Sequence, residues 1–324
     1  MLKISVPSRV HITLLELGDS GYRRNGGLGF SIDRPSVELT FEKANHFSIE
    51  ALEAIGFDVD ELASLHKRLE ATKDSFLLEN GLRLSSVYSA GRHVGFGSGT
   101  AVALSLIEAL ALLNGRIFDQ TQISQMSGRG GTSGIGINTY FTGGFVFDAG
   151  RILDNSPFKS SDDIPEPPTT PLVVTRHNMP DWPIGIFTPN DVPAVSIQME
   201  RHLFSSSLPL AMRDVETAVY HGIMGALVAV IAGDYSNFCR AINKIQHCDW
   251  KRKEIALSSP ALSSYLTALH ESGCDGVGVS SLGPSIYFLS KNIESTLNRI
   301  KSRFPNALVE IAHANNTGRK VEYV

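Results

Sequence analysis

The 324-residue chain is 42% apolar and 19% charged, with a formal net charge of −4, a composition typical of folded globular proteins and long enough for two cores. No basic excess argues for a nucleic-acid partner. The three cysteines, Cys239, Cys248 and Cys274, match neither a zinc pattern nor a CxxC unit, so reduced, packed thiols are expected.

The opening MLKISVPSRVHITLLEL alternates and carries Arg9 and His11, unlike a signal peptide. The longest apolar runs, near 101–113 and 222–232, are shorter than a bilayer crossing. A cytoplasmic protein with no membrane partner is expected. Residues 3–15 read as a strand broken or turned near Pro7, residues 16–26 as a turn, and residues 28–42 as a second strand with Pro35 at an edge or bulge. A helix pair is expected over 58–81, a short strand over 83–91, an almost wholly apolar helix over 98–114 and a second helix over 119–127. The glycine-rich stretch 128–150 reads as loops around a strand. Residues 154–171, DNSPFKSSDDIPEPPTTP, are the best linker, giving one domain over 1–153 and another over 172–324. Beyond it come a strand at 184–189 and helices at 212–232, 234–247 (N-cap Asp234) and 260–271 (N-cap Ser259, Pro260 first). Strands at 276–281 and 285–290, a helix at 292–303 and a strand at 307–312 close the chain. That order is a split βαβ arrangement, so the fold class is α+β.

Three stretches carry chemistry. In HVGFGSGTAVAL (93–104), Gly95, Gly97 and Gly99 precede a helix, with Ser98 and Thr100 among them. Such a turn exposes backbone N–H groups at the positive end of the helix dipole, a cradle for phosphate; a tight turn for close helix packing is the alternative. It is neither a Walker sequence nor GxGxxG. In GRGGTSGIG (128–136), Arg129 sits among Gly130, Gly131, Thr132 and Ser133, a second anion contact or a flexible surface loop. In PSRVH (7–11), Arg9 and His11 share one face of a strand, beside a site or solvated at an edge. Arg23 and Arg24 in YRRNGG are loop charges or anion ligands. Glu108 and Asp148, with Ser98, are the candidates to hold Mg²⁺ beside phosphates, although a helix Glu pairs equally well with an arginine. His202, His221, His247 and His313 lack metal-ligand spacing.

PSRVH, VGFGSGTA and SSLGPSIYFL resemble, in order and spacing, the three motifs of the GHMP superfamily of small-molecule kinases. The resemblance implies an N-terminal domain like ribosomal S5 domain 2 and a ferredoxin-like C-terminal domain. Two departures stand out. Gly91 replaces the proline that usually opens the central motif. Ser133-Gly134-Ile135-Gly136 puts glycine where kinases carry the SG-x-D aspartate, so that base is missing. Asp148 or Glu16 is the substitute if the chain is a kinase.

Over nearly its whole length the chain resembles a non-kinase branch, the β-ribofuranosylaminobenzene 5′-phosphate synthases, through PSRVHITLLEL, RRNGGLGFSID, HVGFGSGTAVAL, GRGGTSGIGINTYFTGGFVFDAG and MPDWPIGIFTP. That resemblance implies condensation of 5-phosphoribosyl-1-pyrophosphate with 4-aminobenzoate or a close analogue, releasing CO₂ and pyrophosphate early in tetrahydromethanopterin biosynthesis. It implies Mg²⁺ without ATP, and a homodimer. Arg9, Arg24, Arg92 and Arg129 would meet the donor's two anionic ends, with Ser98 at the cradle. His11 or Arg24 would place a cation near the acceptor's carboxylate. An ATP-dependent small-molecule kinase is the alternative.

Overall fold

The N-terminal alternation builds a long antiparallel hairpin, β1 (Leu2–Glu16) against β2 (Arg23–Ala44). The computed structural model describes residues 1–19, 21–89, 94–154, 156–161, 164 and 170–324. Pro7 does not break β1. The register slips there instead: Pro7 faces Ser36 and Ser8 faces Ile32, so residues 33–35 form a bulge, the local device that tolerates proline in a ladder. The expected turn at 16–26 is shorter than its composition suggests, because Arg23 to Asn25 already belong to β2.

A 3₁₀ turn (Glu50–Ile55) leads to α1 (Val59–Ser75). This is a single helix where a pair was expected, opened by a reciprocal capping box between Asp58 and Glu61. Then follow β3 (Gly81–Tyr88), α2 (Ser98–Leu113), α3 (Gln120–Ser127), α4 (Ile135–Thr142), β4 (Phe145–Asp148), β5 (Arg151–Ile152) and β6 (Val173–His177). Helix α4 lies where loop was expected; Gly136 and the β-branched residues within it have low helix propensity, and packing overrides that preference. The second half runs β7 (Ile184–Thr188), α5 (Ile197–Ser207), α6 (Met212–Val219), a π-helical stretch (Tyr220–Leu227), α7 (Val228–Ala232), α8 (Tyr235–Ile245), α9 (Asp249–Ser258), α10 (Pro260–Glu271), β8 (Gly276–Val279), β9 (Ile286–Leu289), α11 (Ile293–Arg303), β10 (Leu308–Ala312) and β11 (Lys320–Tyr323).

One sheet is ordered β11-β1-β2-β4-β6, with β3 and β5 also on β2; the other is β10-β7-β9-β8. The second order is that of a split βαβ sandwich, as its element sequence required. The sheets do not divide at the expected linker: β6 and β11 both lie beyond it, yet they pair with β4 and β1. Leu2, Ile4 and Val6 of β1 pack with Val102, Leu106 and Leu110 of α2, while Val10 and Ile12 pack with Phe238 and Tyr287. One face of β1 therefore serves two cores, and Arg9 and His11 project from the other. The continuous helical run Met212–Ala232 is long and apolar enough to cross a bilayer. One face of it packs inward, with Gly222 against Leu28 and Leu15. All three cysteines are buried free thiols.

Candidate active site

The three sequence pieces meet at one cavity, joined by hydrogen bonds. Arg9 N donates to Phe96 O at 3.1 Å and Ser281 N to His11 O at 2.9 Å. His11 N donates to Ser280 Oγ at 3.2 Å, and that hydroxyl donates to Gly95 O at 2.7 Å. Strand β1, the glycine loop and the β8–β9 turn thus hold one another, although some 270 residues separate the first from the last.

The glycines are required by this convergence. Gly95 has φ +95° and a Cβ there would lie 2.5 Å from Ser280 O. Gly97 has φ +77° and a Cβ would lie 2.8 Å from Arg9 Cγ. Gly97 is also the N-cap of α2 and supplies no side-chain cap, so the first turn presents backbone donors to the cavity wall formed by Ser98, Gly99 and Thr100. We expect Gly97→Ala to cost about 1–2 kcal/mol from its left-handed backbone and, in addition, to displace Arg9. Gly233 is the control: its φ is +67° with nothing within 4 Å. Pyrophosphate titrations should show lost affinity for Gly97→Ala only; equal affinities would contradict the packing argument.

Arg129 reaches the same wall, its Nε donating to Thr100 Oγ1 at 3.3 Å. Gly130, Thr132 and Ser133 line the cavity with it. Gly131 sits outside, pressed against Ser161 and Ile164. Arg9 donates from Nη1 to Gly95 O at 3.3 Å. Burial, and then the like charge of Arg129, pull its guanidinium down to about 10. Two guanidiniums brought together in a low-dielectric wall at the start of a helix concentrate positive charge there.

His11 also lines the cavity, 5% exposed. Burial, Arg9 and Lys251 hold it well below the usual histidine range, so it is a neutral imidazole. That direction opposes the cationic role expected of it beside a carboxylate; among the described residues of this cavity, Arg9 and Arg129 are the cationic side chains. Arg24 is buried too, but in an adjoining cavity, where it pairs with Asp154 and lies over Phe158. Arg92 lies outside the described residues.

Glu108 is committed elsewhere. It accepts from Tyr140 Oη at 2.6 Å and pairs with Arg319, the arginine-paired alternative. Asp148 lies beneath the Arg129 loop and accepts from Gly134 N at 3.0 Å and Gly150 N at 2.9 Å. It anchors the loop and does not line the cavity. Its complete burial lifts it to about 7, against the lowering effect of those bonds. A raised carboxyl contributes stability that is full below its unfolded value near 4 and is lost as pH rises through about 7. Asp148→Asn should therefore flatten the fall in melting temperature between about pH 4 and 7. An unchanged slope would show that Asp148 is not the titrating group.

Sequence reading missed the second wall. Glu200 and Phe204 of α5 and Glu254 of α9 face the cavity. Glu254, 3% exposed, lies 2.6 Å from the wholly buried Lys251. Lys251 also donates to Val279 O and Ser281 O, each at 3.1 Å, so this ion pair supports the turn that holds His11. In WKRKEI it reads as a solvated charge run, and the i,i+3 spacing was the only local signal.

No family model matches the chain. It is 31% identical over 296 residues to a β-ribofuranosylphenol 5′-phosphate synthase of Methanothermobacter thermautotrophicus, covering 88% of both chains. The chain belongs to this synthase family. The synthase of the same name from Archaeoglobus fulgidus is 29% identical over 335 residues, covering 99% of this chain and 100% of the relative. Members of the family are enzymes, and this chain is one. The fold extends to GHMP-type kinases. A homoserine kinase from Listeria monocytogenes aligns over 100% of both chains with a TM-score of 0.66 at 14% identity. A mevalonate diphosphate decarboxylase from Enterococcus faecalis aligns with a TM-score of 0.68 at 13% identity, covering 100% of this chain and 99% of that one. The expected GHMP-type α+β fold is therefore the one observed.

Proposed function

We propose that this enzyme joins 5-phosphoribosyl-1-pyrophosphate to a para-substituted benzoate, with loss of pyrophosphate and CO₂, early in the assembly of a methanopterin-type cofactor. The observation that carries this reading is the Arg9–Arg129 pair at the uncapped start of α2, combined with glycine at 136. Gly136 stands on the cavity wall with no side chain to accept a proton, and a Cβ there would lie 3.1 Å from Thr100 Cγ2. The cavity stabilises a leaving anion and needs no base to do so.

In the reaction the bond from C1 of the ribose to pyrophosphate breaks and a bond from C1 to the ring carbon bearing the carboxylate forms. The C–CO₂ bond then breaks and its electrons restore the ring. No net proton transfer is needed, in keeping with a neutral His11. Arg9, Arg129 and the N–H groups of α2 take up the charge of the departing pyrophosphate.

Mg²⁺ fits as a companion of that pyrophosphate. It takes hard oxygen donors and is commonly held by substrate phosphates with one or two carboxylates; Ser98 and Glu200 offer such oxygens on the wall. It would supply further neutralisation of the leaving group. The relatives' name specifies a phenol product, whereas the motif resemblance implies an aminobenzene; a para hydroxyl or amino group feeds electrons to the attacking carbon in either case. The test incubates the enzyme with phosphoribosyl pyrophosphate, Mg²⁺ and ring-carboxyl-labelled 4-hydroxybenzoate or 4-aminobenzoate, without ATP. Labelled CO₂ from one acid is expected, and the faster acid identifies the acceptor. No release from either by folded enzyme removes the proposal.

A further inference from the structure

Beside the active-site cavity lies a second one that the first does not explain. Phe204 lines both, so the two cavities share part of a wall. The second cavity contains Arg24, 5% exposed. Its neighbour across the β2–β5 ladder is Arg151, paired with it in register and also 5% exposed. Directly opposed residues hold their Cβ atoms about 4.5–5.5 Å apart, and like charges in that position are destabilising. One carboxylate serves both: Asp154 accepts from Arg24 Nη1 and stands at the rim, its side chain 45% exposed. Arg24 Nη1 also donates to Ser156 Oγ at 2.7 Å, and its guanidinium lies 4.3 Å from the centre of the Phe158 ring. The Nε of Arg24 and the Nε of Arg151 are both buried without a hydrogen-bond partner. The Arg151 side chain makes no hydrogen bond to any described residue, and Asp154 acts on it only through space.

A buried guanidinium N–H left without an acceptor is costly, and here two guanidiniums lie side by side with both Nε groups unpartnered, Asp154 and Asp19 being the carboxylates that line the cavity. Chains keep such an arrangement where a ligand supplies the missing acceptors. Guanidiniums bind phosphate through paired N–H groups, and the Phe158 face fixes the plane of one of them.

We propose that Arg24 and Arg151 form a second anion site that takes a sugar phosphomonoester, namely the 5′-phosphate end of the ribosyl donor. The assignment rests on the condensation proposed above. In that donor the two anionic ends lie on opposite sides of one ribose ring. The pyrophosphate leaves during the reaction and belongs at the α2 cradle, while the 5′-phosphate stays with the product and needs only to be held. The acceptor's carboxylate is on the reacting carbon and so belongs beside the pyrophosphate, not across Phe204.

Titration calorimetry with ribose 5-phosphate and, separately, pyrophosphate tests the assignment on the intact enzyme. Arg151→Met is expected to weaken ribose 5-phosphate binding at least tenfold and to change pyrophosphate binding less than twofold. Arg151→Lys should recover part of the loss, and Arg9→Met should show the reverse pattern. Circular dichroism confirms folding; should Arg24→Met fail to fold, Arg151→Met and Arg151→Lys carry the test. Unchanged ribose 5-phosphate binding in Arg151→Met, or equal loss of both ligands, would overturn the site. So would wild-type enzyme that fails to bind ribose 5-phosphate, or that binds inorganic phosphate as tightly. Selective loss in Arg151→Met by an enzyme that releases no CO₂ would leave this site standing while removing the synthase reading.

Discussion

Arg9→Met is expected to lower kcat/KM for the condensation by about 10²–10³, the cost of removing one well-placed donor to developing negative charge. Its melting temperature should hold or rise. Burial and Arg129 destabilise the Arg9 guanidinium in the folded chain, so its removal relieves that strain, the usual trade between stability and function at a charged site. Methionine keeps the unbranched stem that packs on Gly97. The measurement pairs CO₂ release with thermal unfolding. A destabilised variant that retains full activity would place Arg9 in a structural role and remove it from the site. Ser98→Ala should also reduce turnover more than it alters folding, since Ser98 stands in the same wall.

Lys251→Met is expected to be the most destabilising of the substitutions considered, by about 3–5 kcal/mol, because it breaks a buried pair and leaves one partner without compensation. The variant strands the Glu254 carboxyl, which burial already raises against the attraction of Lys251. It also strands Val279 O and Ser281 O, which accept from the ammonium. Removing both charges, as in Lys251→Met with Glu254→Leu, should recover much of the loss, since two apolar groups of similar volume often replace a buried pair without penalty. Denaturant unfolding of the two single variants and the double variant closes the cycle. Additive losses would show that the two charges do not interact. Because the lysine supports the 279–283 turn, which hydrogen-bonds to β1 and the glycine loop, the double variant should still bind pyrophosphate less well than wild type.

The local alphabet of the chain carried a good deal. Period-two alternation put Arg9 and His11 on one face of β1, and both line one cavity. Glycines at 95 and 97, followed by an apolar run, marked a backbone that needs positive φ before a buried helix, and both have it. The alternation of strands and helices in the second half required a split βαβ sheet, and β10-β7-β9-β8 is that sheet. These features follow from backbone sterics and periodicity, which a few neighbouring residues determine.

Burial of charge is different in kind. WKRKEI has the pattern of a solvated helix face, yet Lys251 is 0% exposed because the β8–β9 turn closes over it. Glu108 is a structural partner only because Arg319, 211 positions away, folds back onto it. Arg151 gave no local signal at all; its isolation beside Arg24 exists only through the pairing of β2 with β5. The protonation of His11 was equally illegible, since it depends on the dielectric and on two cations, one of them from α9. Sequence alone thus determined where the backbone takes positive φ before a buried helix. Tertiary structure decided which charges lose their water and which partners they keep, because desolvation and Coulomb energy depend on distances between residues far apart in the chain.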